Sequence, residues 1–225
     1  MIKEIVIAAY DRDLVWMDKI NSDVRKVIYI KGRDAEKGEI FLDNVGRDVH
    51  TFFYHIYKNY NNLADYMFFS QDYPFDHFEN IVEMVNGDVD DWKQNARLIV
   101  GGYYGFHYNS IKNPSKNGGI MWNMKNSEQH GIGKVLSCYS NGSPQHKIGE
   151  FDVDELWREL FVGEPPVTYE FIPGGHFCVT KEHIKIRSEL FYKKIVDILE
   201  LDINSPWVIE RLECYIFNPK FKSKF

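Results

Sequence analysis

The chain has 225 residues, 44% of them hydrophobic and 27% charged, and a net charge of −6. That balance belongs to a folded domain and excludes a disordered or fibrous chain, while the length fits one core. The acidic balance offers no overall positive field to nucleic acid, and Cys138, Cys178 and Cys214, far apart and without a Cys-x-x-Cys pair, argue against a disulfide framework or structural zinc site.

Such cysteine usage suits a reducing, cytoplasmic compartment. Met1 to Ile7 is a short strand-like run containing Glu4, too short for a signal-peptide core. No later stretch approaches the ~20 consecutive apolar residues of a membrane span, so no transmembrane segment is expected. Ile5 to Ala9 reads as a strand buried on both faces, and Tyr10-Asp11-Arg12-Asp13 follows at its carboxyl end. Leu14, Met17 and Ile20 recur at helical spacing, and Lys26 to Ile30 is again apolar and β-branched, which gives a strand, helix, strand unit.

Asn44 to Asp48 reads as a turn leading into a helix whose stripe includes Phe53, Ile56, Tyr57 and Tyr60. Tyr66 to Phe69 is the next strand and delivers Ser70-Gln71-Asp72 to the same sheet edge. Phe78, Ile81, Val82 and Val85 then predict a helix starting near His77 with Asp76 as its cap. From about Gly101 to Gly149, Gly, Asn, Ser and Lys replace periodicity, as in functional loops or lids. Asp152 and Glu155 cap a helix carrying Leu156, Trp157 and Leu160; a Gly174-Gly175 turn precedes a strand at His176 to Val179. Leu190, Phe191, Ile195, Ile198 and Leu199 mark a further helix. Ser205 and Pro206 form an N-cap and first-turn pair for a last one, with Val208, Leu212 and Ile216 as its buried stripe. With no repeat or linker, this alternation predicts a single α/β domain: a mixed, mostly parallel sheet flanked by helices.

Ile5-Val6-Ile7-Ala8-Ala9-Tyr10, Asn44-Val45-Gly46-Arg47-Asp48, Phe68-Phe69-Ser70-Gln71-Asp72, Gly174-Gly175-His176-Phe177-Cys178-Val179 and Ile209-Glu210-Arg211-Leu212 occur in an order that resembles GT-A-fold glycosyltransferases. The likeness spans nearly the whole chain. It is strongest to a family of formerly uncharacterised fungal, bacterial and viral proteins that includes the glycosyltransferase domain of a chlorella-virus protein, and the Asn-x-Gly-Arg-Asp element also resembles one in rhamnan-synthesis proteins. The resemblance implies a Rossmann-like GT-A domain, with donor binding in about residues 1–100 and acceptor-side loops and C-terminal helices in about 101–225. It implies a UDP- or dTDP-linked sugar donor, a glycan or glycoconjugate acceptor, a Mn²⁺ or Mg²⁺ ion, and a cytoplasmic location, the host's for a viral member.

Physical reasoning places the same segments together, because ligands of open α/β sheets collect outside the carboxyl ends of strands. Ala9, Tyr10 and Asp11, then Asn44, Gly46 and Arg47, then Gln71 and Asp72 all fall at such ends. Tyr10 either stacks on a base or packs at its strand end; Asp11 has the chemistry to accept from a base imide or a ribose hydroxyl. Arg47 follows a glycine, as where backbone must approach a ligand and a guanidinium must pair with phosphate, and an Arg is otherwise disfavoured at a helix start; the other reading is a surface salt bridge with Asp48 or Asp43. GT-A enzymes usually carry Asp-x-Asp after this strand, to hold a metal against the diphosphate. Here Ser70 replaces the first acid, which leaves Asp72 as the metal candidate with Asp76 and His77 as helpers, the alternative being the Arg and Lys side chains that offset the diphosphate in some members of the wider fold.

The candidate base is Glu210, which resembles the Glu of a Ser-Pro-Asp-Glu segment in certain inverting GT-A enzymes and lies off the predicted stripe; its other reading is a solvated early-helix acid stabilised by the dipole, and Arg211 is the candidate beside it for the phosphates. Glu170, His176 and Trp122, with His107, are acceptor-side candidates. His50 and His55 are five apart, off one helical face, and do not read as a metal pair. The expected activity is inverting transfer of a sugar to a hydroxyl. The alternatives are a nucleotide-sugar- or glycan-binding protein that kept the fold without turnover, and a nucleotidyltransferase, for which the Gly-rich Arg/Lys loop is missing.

Overall fold

Alternation along the first strand sets the layering. In β1 (Lys3–Ala9), Ile5, Ile7 and Ala9 enter one apolar cluster, while Val6 and Ala8 enter another on the opposite face. Both faces are covered, and the strand therefore reads as one continuous apolar run. The computed structural model describes residues 1–76, 78–88, 97–100, 103–105, 122–125, 134–136, 150–166, 168–171 and 175–225.

β1 pairs in parallel with β2 (Arg25–Ile30) on one side and β4 (Tyr66–Gln71) on the other, and β2 pairs in parallel with β3 (Glu39–Phe41). Beyond β4 the pairing becomes antiparallel through β11 (Phe177–Thr180), β6 (Tyr103–Gly105) and β5 (Arg97–Val100). The seven-stranded order is β3-β2-β1-β4-β11-β6-β5. The sheet is therefore α/β and mixed as expected, compatible with a Rossmann-like arrangement, but only its first half is parallel rather than most of it. Two small pairs, β10 (Thr168–Phe171) with β7 (Trp122–Lys125) and β8 (Lys134–Leu136) with β9 (Glu150–Asp152), complete the strands described.

The larger cluster joins the sheet to α1 (Arg47–Lys58), α3 (Val153–Leu160), α5 (Glu189–Leu201) and α6 (Ser205–Ile216). The smaller face is covered by α2 (Ile81–Asn86) and a 3-10 turn, Val15–Lys19, and α4 (Lys181–Ile184) follows β11. The spacing of Leu14, Met17 and Ile20 thus makes one tight turn rather than an α-helix; Trp16 and Met17 fill the cluster without one. Asp76 closes a separate turn, Pro74–Asp76, and Asn80 precedes α2, so Asp76 is no cap. Asn204 likewise precedes α6, and the Ser205 hydroxyl donates back to Asp202 O at 2.6 Å.

A buried polar knot sits at the amino end of β1. Glu4 is 1% exposed; its Oε1 meets His55 Nε2 at 3.0 Å and its Oε2 pairs with Arg25 Nε, while Tyr29 Oη lies 3.0 Å from His55 Nδ1. Burial pushes the Glu4 carboxyl up, but the bonds from His55 and Arg25 outweigh it and hold the group below its ordinary range.

The chain past α6 is gathered by one guanidinium. Arg187 is 4% exposed and donates to Ile216 O (2.8 Å), Tyr215 O (2.9 Å), Asn218 O (2.8 Å) and Phe221 O. Two of these carbonyls, Tyr215 O and Ile216 O, belong to the last turn of α6. Arg187→Met keeps most of the volume and removes all four hydrogen bonds, so it should destabilise the fold by about 3 kcal/mol or more, read as a lowered urea midpoint. A loss under about 1 kcal/mol would show that the C-terminal turn is held by other contacts.

Candidate active site

The chain runs β1, β2, β3 outward in one direction and then returns to place β4 on the other side of β1. Between β1 and β4, the loops leaving adjacent parallel strands part in opposite directions and open a crevice at the carboxyl ends. A cleft of about 660 Å³ lies there. Ala8, Ala9 and Gln71 form its floor and Tyr10 and Asp72 its near rim; Lys31 and residues 44–48 make one wall, and residues 199–203 with Pro206 and Trp207 the other.

The wall at 44–48 has an unusual backbone. Gly46 (φ 59°) and Arg47 (φ 56°) are both left-handed, and Arg47 is the one non-glycine residue with positive φ among the described residues. A Cβ on Gly46 would lie 2.6 Å from His50 Cβ and 2.9 Å from Leu199 O, so only glycine lets α1 start against α5. The Arg47 guanidinium lies 5.0 Å over the Trp207 ring, a cation–π contact joining the two walls.

Lys31 braces the bend from below. Its Nζ donates to Val45 O and Arg47 O, each at 2.6 Å, and reaches His50 Nδ1 at 3.2 Å. Burial pushes the ammonium down to about 8, against the pull of Asp48 and Asp43. His50 Nε2 in turn lies 3.3 Å from Glu200 Oε1 on the opposite wall. Burial, then the neighbouring Lys31, push His50 down to about 4 although Glu200 favours its charged form.

At the rim, Asp72 Oδ2 accepts from the Tyr10 (2.9 Å) and Arg12 (3.3 Å) amides, tying the β1 and β4 loops together. Gln71 Nε2 donates to Asp48 Oδ2 at 2.5 Å, and Val49 N to Asp48 Oδ1 at 3.0 Å. Gly175 (φ 64°) packs on this pair: a Cβ there would sit 2.6 Å from Asp48 Oδ2.

Seven sequence-derived residues therefore meet in one cleft: Ala9, Tyr10, Asn44, Gly46, Arg47, Gln71 and Asp72. Asp11 is exposed on the adjoining loop and does not line it. Glu210 and Arg211 do not line it either; Arg211 Nη1 donates to Trp207 O (2.6 Å) and lies 3.2 Å from Glu210 Oε2. The expected three-residue stripe was too narrow for α6, which is buried at Val208, Ile209 and every residue from Arg211 to Ile216. His176 is 2% exposed, with Nδ1 3.2 Å from Ser70 Oγ, behind the cleft floor. Glu170 and Trp122 occupy facing strands β10 and β7, their side chains outside what is described, and His77, His107, Cys138 and Gly174 lie outside the described residues.

Sequence reasoning missed Lys31, Glu200 and Trp207 and took Asp48 only as a possible surface partner of Arg47. Lys31 had a signal, since it follows β2 as Tyr10 follows β1; Glu200 had none, because an acid in the last turn of an amphipathic helix reads as solvated.

For a divalent cation, Ser70 is fully buried and turned to its own strand, and Asp48 has both oxygens engaged. Among the described residues no three His, Cys, Asp or Glu side chains converge as ligands. Of the expected ligands, Asp72 lines the cleft, with Oδ2 bonded to the Tyr10 and Arg12 amides, and Asp76 does not line it.

Residues 5–223, which include the whole cleft, match the family model described as Protein of unknown function (DUF3431). The chain belongs to the DUF3431 family. No curated protein and no solved structure matches it. No helix among the described residues of this DUF3431 protein is long and apolar enough to cross a membrane.

The cleft makes a pH prediction. Below about pH 6.5 the unfolded chain takes up a proton at His50 that the folded protein refuses until about pH 4. Stability should therefore fall as pH drops through that window, by up to about 1.4 kcal/mol per unit from this group. His50→Gln, which cannot take the proton, should flatten that part of the profile of urea midpoints; an unchanged slope would mean that His50 titrates normally.

Proposed function

We propose that the cleft binds a nucleotide-activated sugar, UDP- or dTDP-linked, and that the protein is a glycosyltransferase acting on a hydroxyl of a glycan or glycoconjugate. The observation that carries this reading is the convergence of Tyr10, Arg47 and Asp72 on one cleft at the sheet's switch point. A diphosphate leaving group needs positive charge and aligned donors more than covalent help. Arg47 supplies the charge, and the starts of α1 and α6, at Arg47–Asp48 and Pro206–Trp207, bring helix N-termini to the same space. Tyr10, 43% exposed on the rim, offers a face for the base. A Mn²⁺ or Mg²⁺ ion on Asp72 would add charge neutralisation of the diphosphate.

One observation favours a donor-binding protein without turnover: the position of the usual first metal acid is Ser70, fully buried and bonded to Gln71 O. The two readings share donor binding and part at product release.

Thermal shifts with UDP, dTDP and their hexose conjugates, with and without Mn²⁺, test the shared step, because a ligand at 100 times its Kd stabilises the fold by about 2.7 kcal/mol. We expect a shift with at least one conjugate, and Arg47→Met should weaken that affinity about tenfold or more. No shift with any of them would sink the proposal; nucleotide release after binding separates enzyme from binder.

A further inference from the structure

We infer that Glu200 is the base that takes the acceptor's hydroxyl proton, aimed into the cleft by a Lys31–His50 hydrogen-bond chain. The inference rests on the glycosyl-transfer reading and names the group within it that touches the acceptor.

Four carboxylates line the cleft: Asp48, Asp72, Glu200 and Asp202. Asp48 is closed, with both oxygens engaged by Val49 N and Gln71 Nε2. Asp72 spends Oδ2 on the Tyr10 and Arg12 amides and belongs to the rim assigned to the diphosphate. Asp202 turns back to its own loop, accepting from Asn204 N at 2.9 Å. Glu200 is bound by no backbone amide among the described residues; it is 46% exposed and held through Oε1 alone, which leaves Oε2 for an incoming hydroxyl.

The chain behind Glu200 fixes a proton's place. The Lys31 ammonium has three hydrogens and three acceptors: Val45 O, Arg47 O and His50 Nδ1. With Nδ1 accepting, a neutral imidazole must carry its hydrogen on Nε2, 3.3 Å from Glu200 Oε1. The imidazole is 3% exposed, and the depressed affinity of His50 for a second proton keeps it neutral near pH 7. Glu200 is thus oriented by a buried donor that adds no charge, as hydrogen-bond partners lying behind working carboxylates and imidazoles orient them elsewhere. Because Lys31 also holds the Arg47 bend, one ammonium positions both the leaving-group cation and the base.

In the step, the acceptor oxygen forms a bond to the anomeric carbon and the bond from that carbon to the diphosphate oxygen breaks. The electron pair leaves with the nucleoside diphosphate, and the hydroxyl proton passes to Glu200 Oε2.

Slow donor hydrolysis, with water as acceptor, reads this step without knowledge of the natural acceptor. With the UDP- or dTDP-hexose that gives the largest thermal shift, Glu200→Gln should cut nucleoside diphosphate release about 100-fold or more and change donor affinity less than about threefold. His50→Phe should slow release about tenfold, whereas His50→Gln, whose amide can still donate to Glu200, should stay within about threefold. Melting temperatures separate folding from rate. Release by Glu200→Gln at the wild-type rate overturns the assignment, as does a wild-type protein that binds donor and releases no diphosphate. A wild-type protein that binds no donor removes the glycosyltransferase reading itself, and the base with it.

Discussion

The left-handed pair Gly46–Arg47 is the constraint on which the cleft depends. A non-glycine residue in that region costs on the order of 1–3 kcal/mol and persists only where its surroundings over-determine it. Here the surroundings are one buried ammonium bonded to the carbonyls on either side of the bend, at Val45 and Arg47. The bend starts α1 against Leu199 and sets the Arg47 guanidinium over Trp207. Helix packing and site geometry are consequences of the same two hydrogen bonds.

The sheet supplies the complementary half. Parallel pairing of β2, β1 and β4 brings three strand ends to one edge, and the reversal of strand order between β1 and β4 leaves room above them. Asp72 prevents that room from collapsing or drifting, since its carboxylate belongs to one loop and its partners, the Tyr10 and Arg12 amides, to the other. Gln71 and Asp48 join the strand end to the helix wall in the same way. Each edge of the cleft is thus bonded across to an element far away in sequence, which favours a preformed pocket over one assembled by its ligand.

Local pattern was enough to find most of the parallel half. β1, β2, β4, α1 and α5 announce themselves through apolar runs or helical stripes, and the strand ends then point to Tyr10, Arg47 and Asp72. What stayed hidden depends on partners that pattern does not encode. β3 is three residues long and largely solvent-facing, so no apolar run marks it. Lys31 is marked in the sequence only by its place after β2, and its bracing role depends on His50 and the two carbonyls around it. Glu210 was favoured by its resemblance and because a three-residue stripe left it outside the core, yet α6 is buried along most of its length and Glu210 does not line the cleft, whereas Glu200 of the preceding helix does.

The knot of Glu4, Arg25, His55 and Tyr29 lies at the end of β1 remote from the cleft, yet it bears on how the cleft is aligned. A slip of β1 by one residue against its neighbours would swing the Glu4 carboxylate from its imidazole and guanidinium into the opposite apolar layer, among side chains such as Phe68 and Met84. The penalty for an unpaired ion there far exceeds the small differences among alternative pairings of an apolar strand. Glu4 acts as an index pin: by fixing the phase of β1 at its start, it determines that Ala8, four residues on, stands level with Gln71 at its finish.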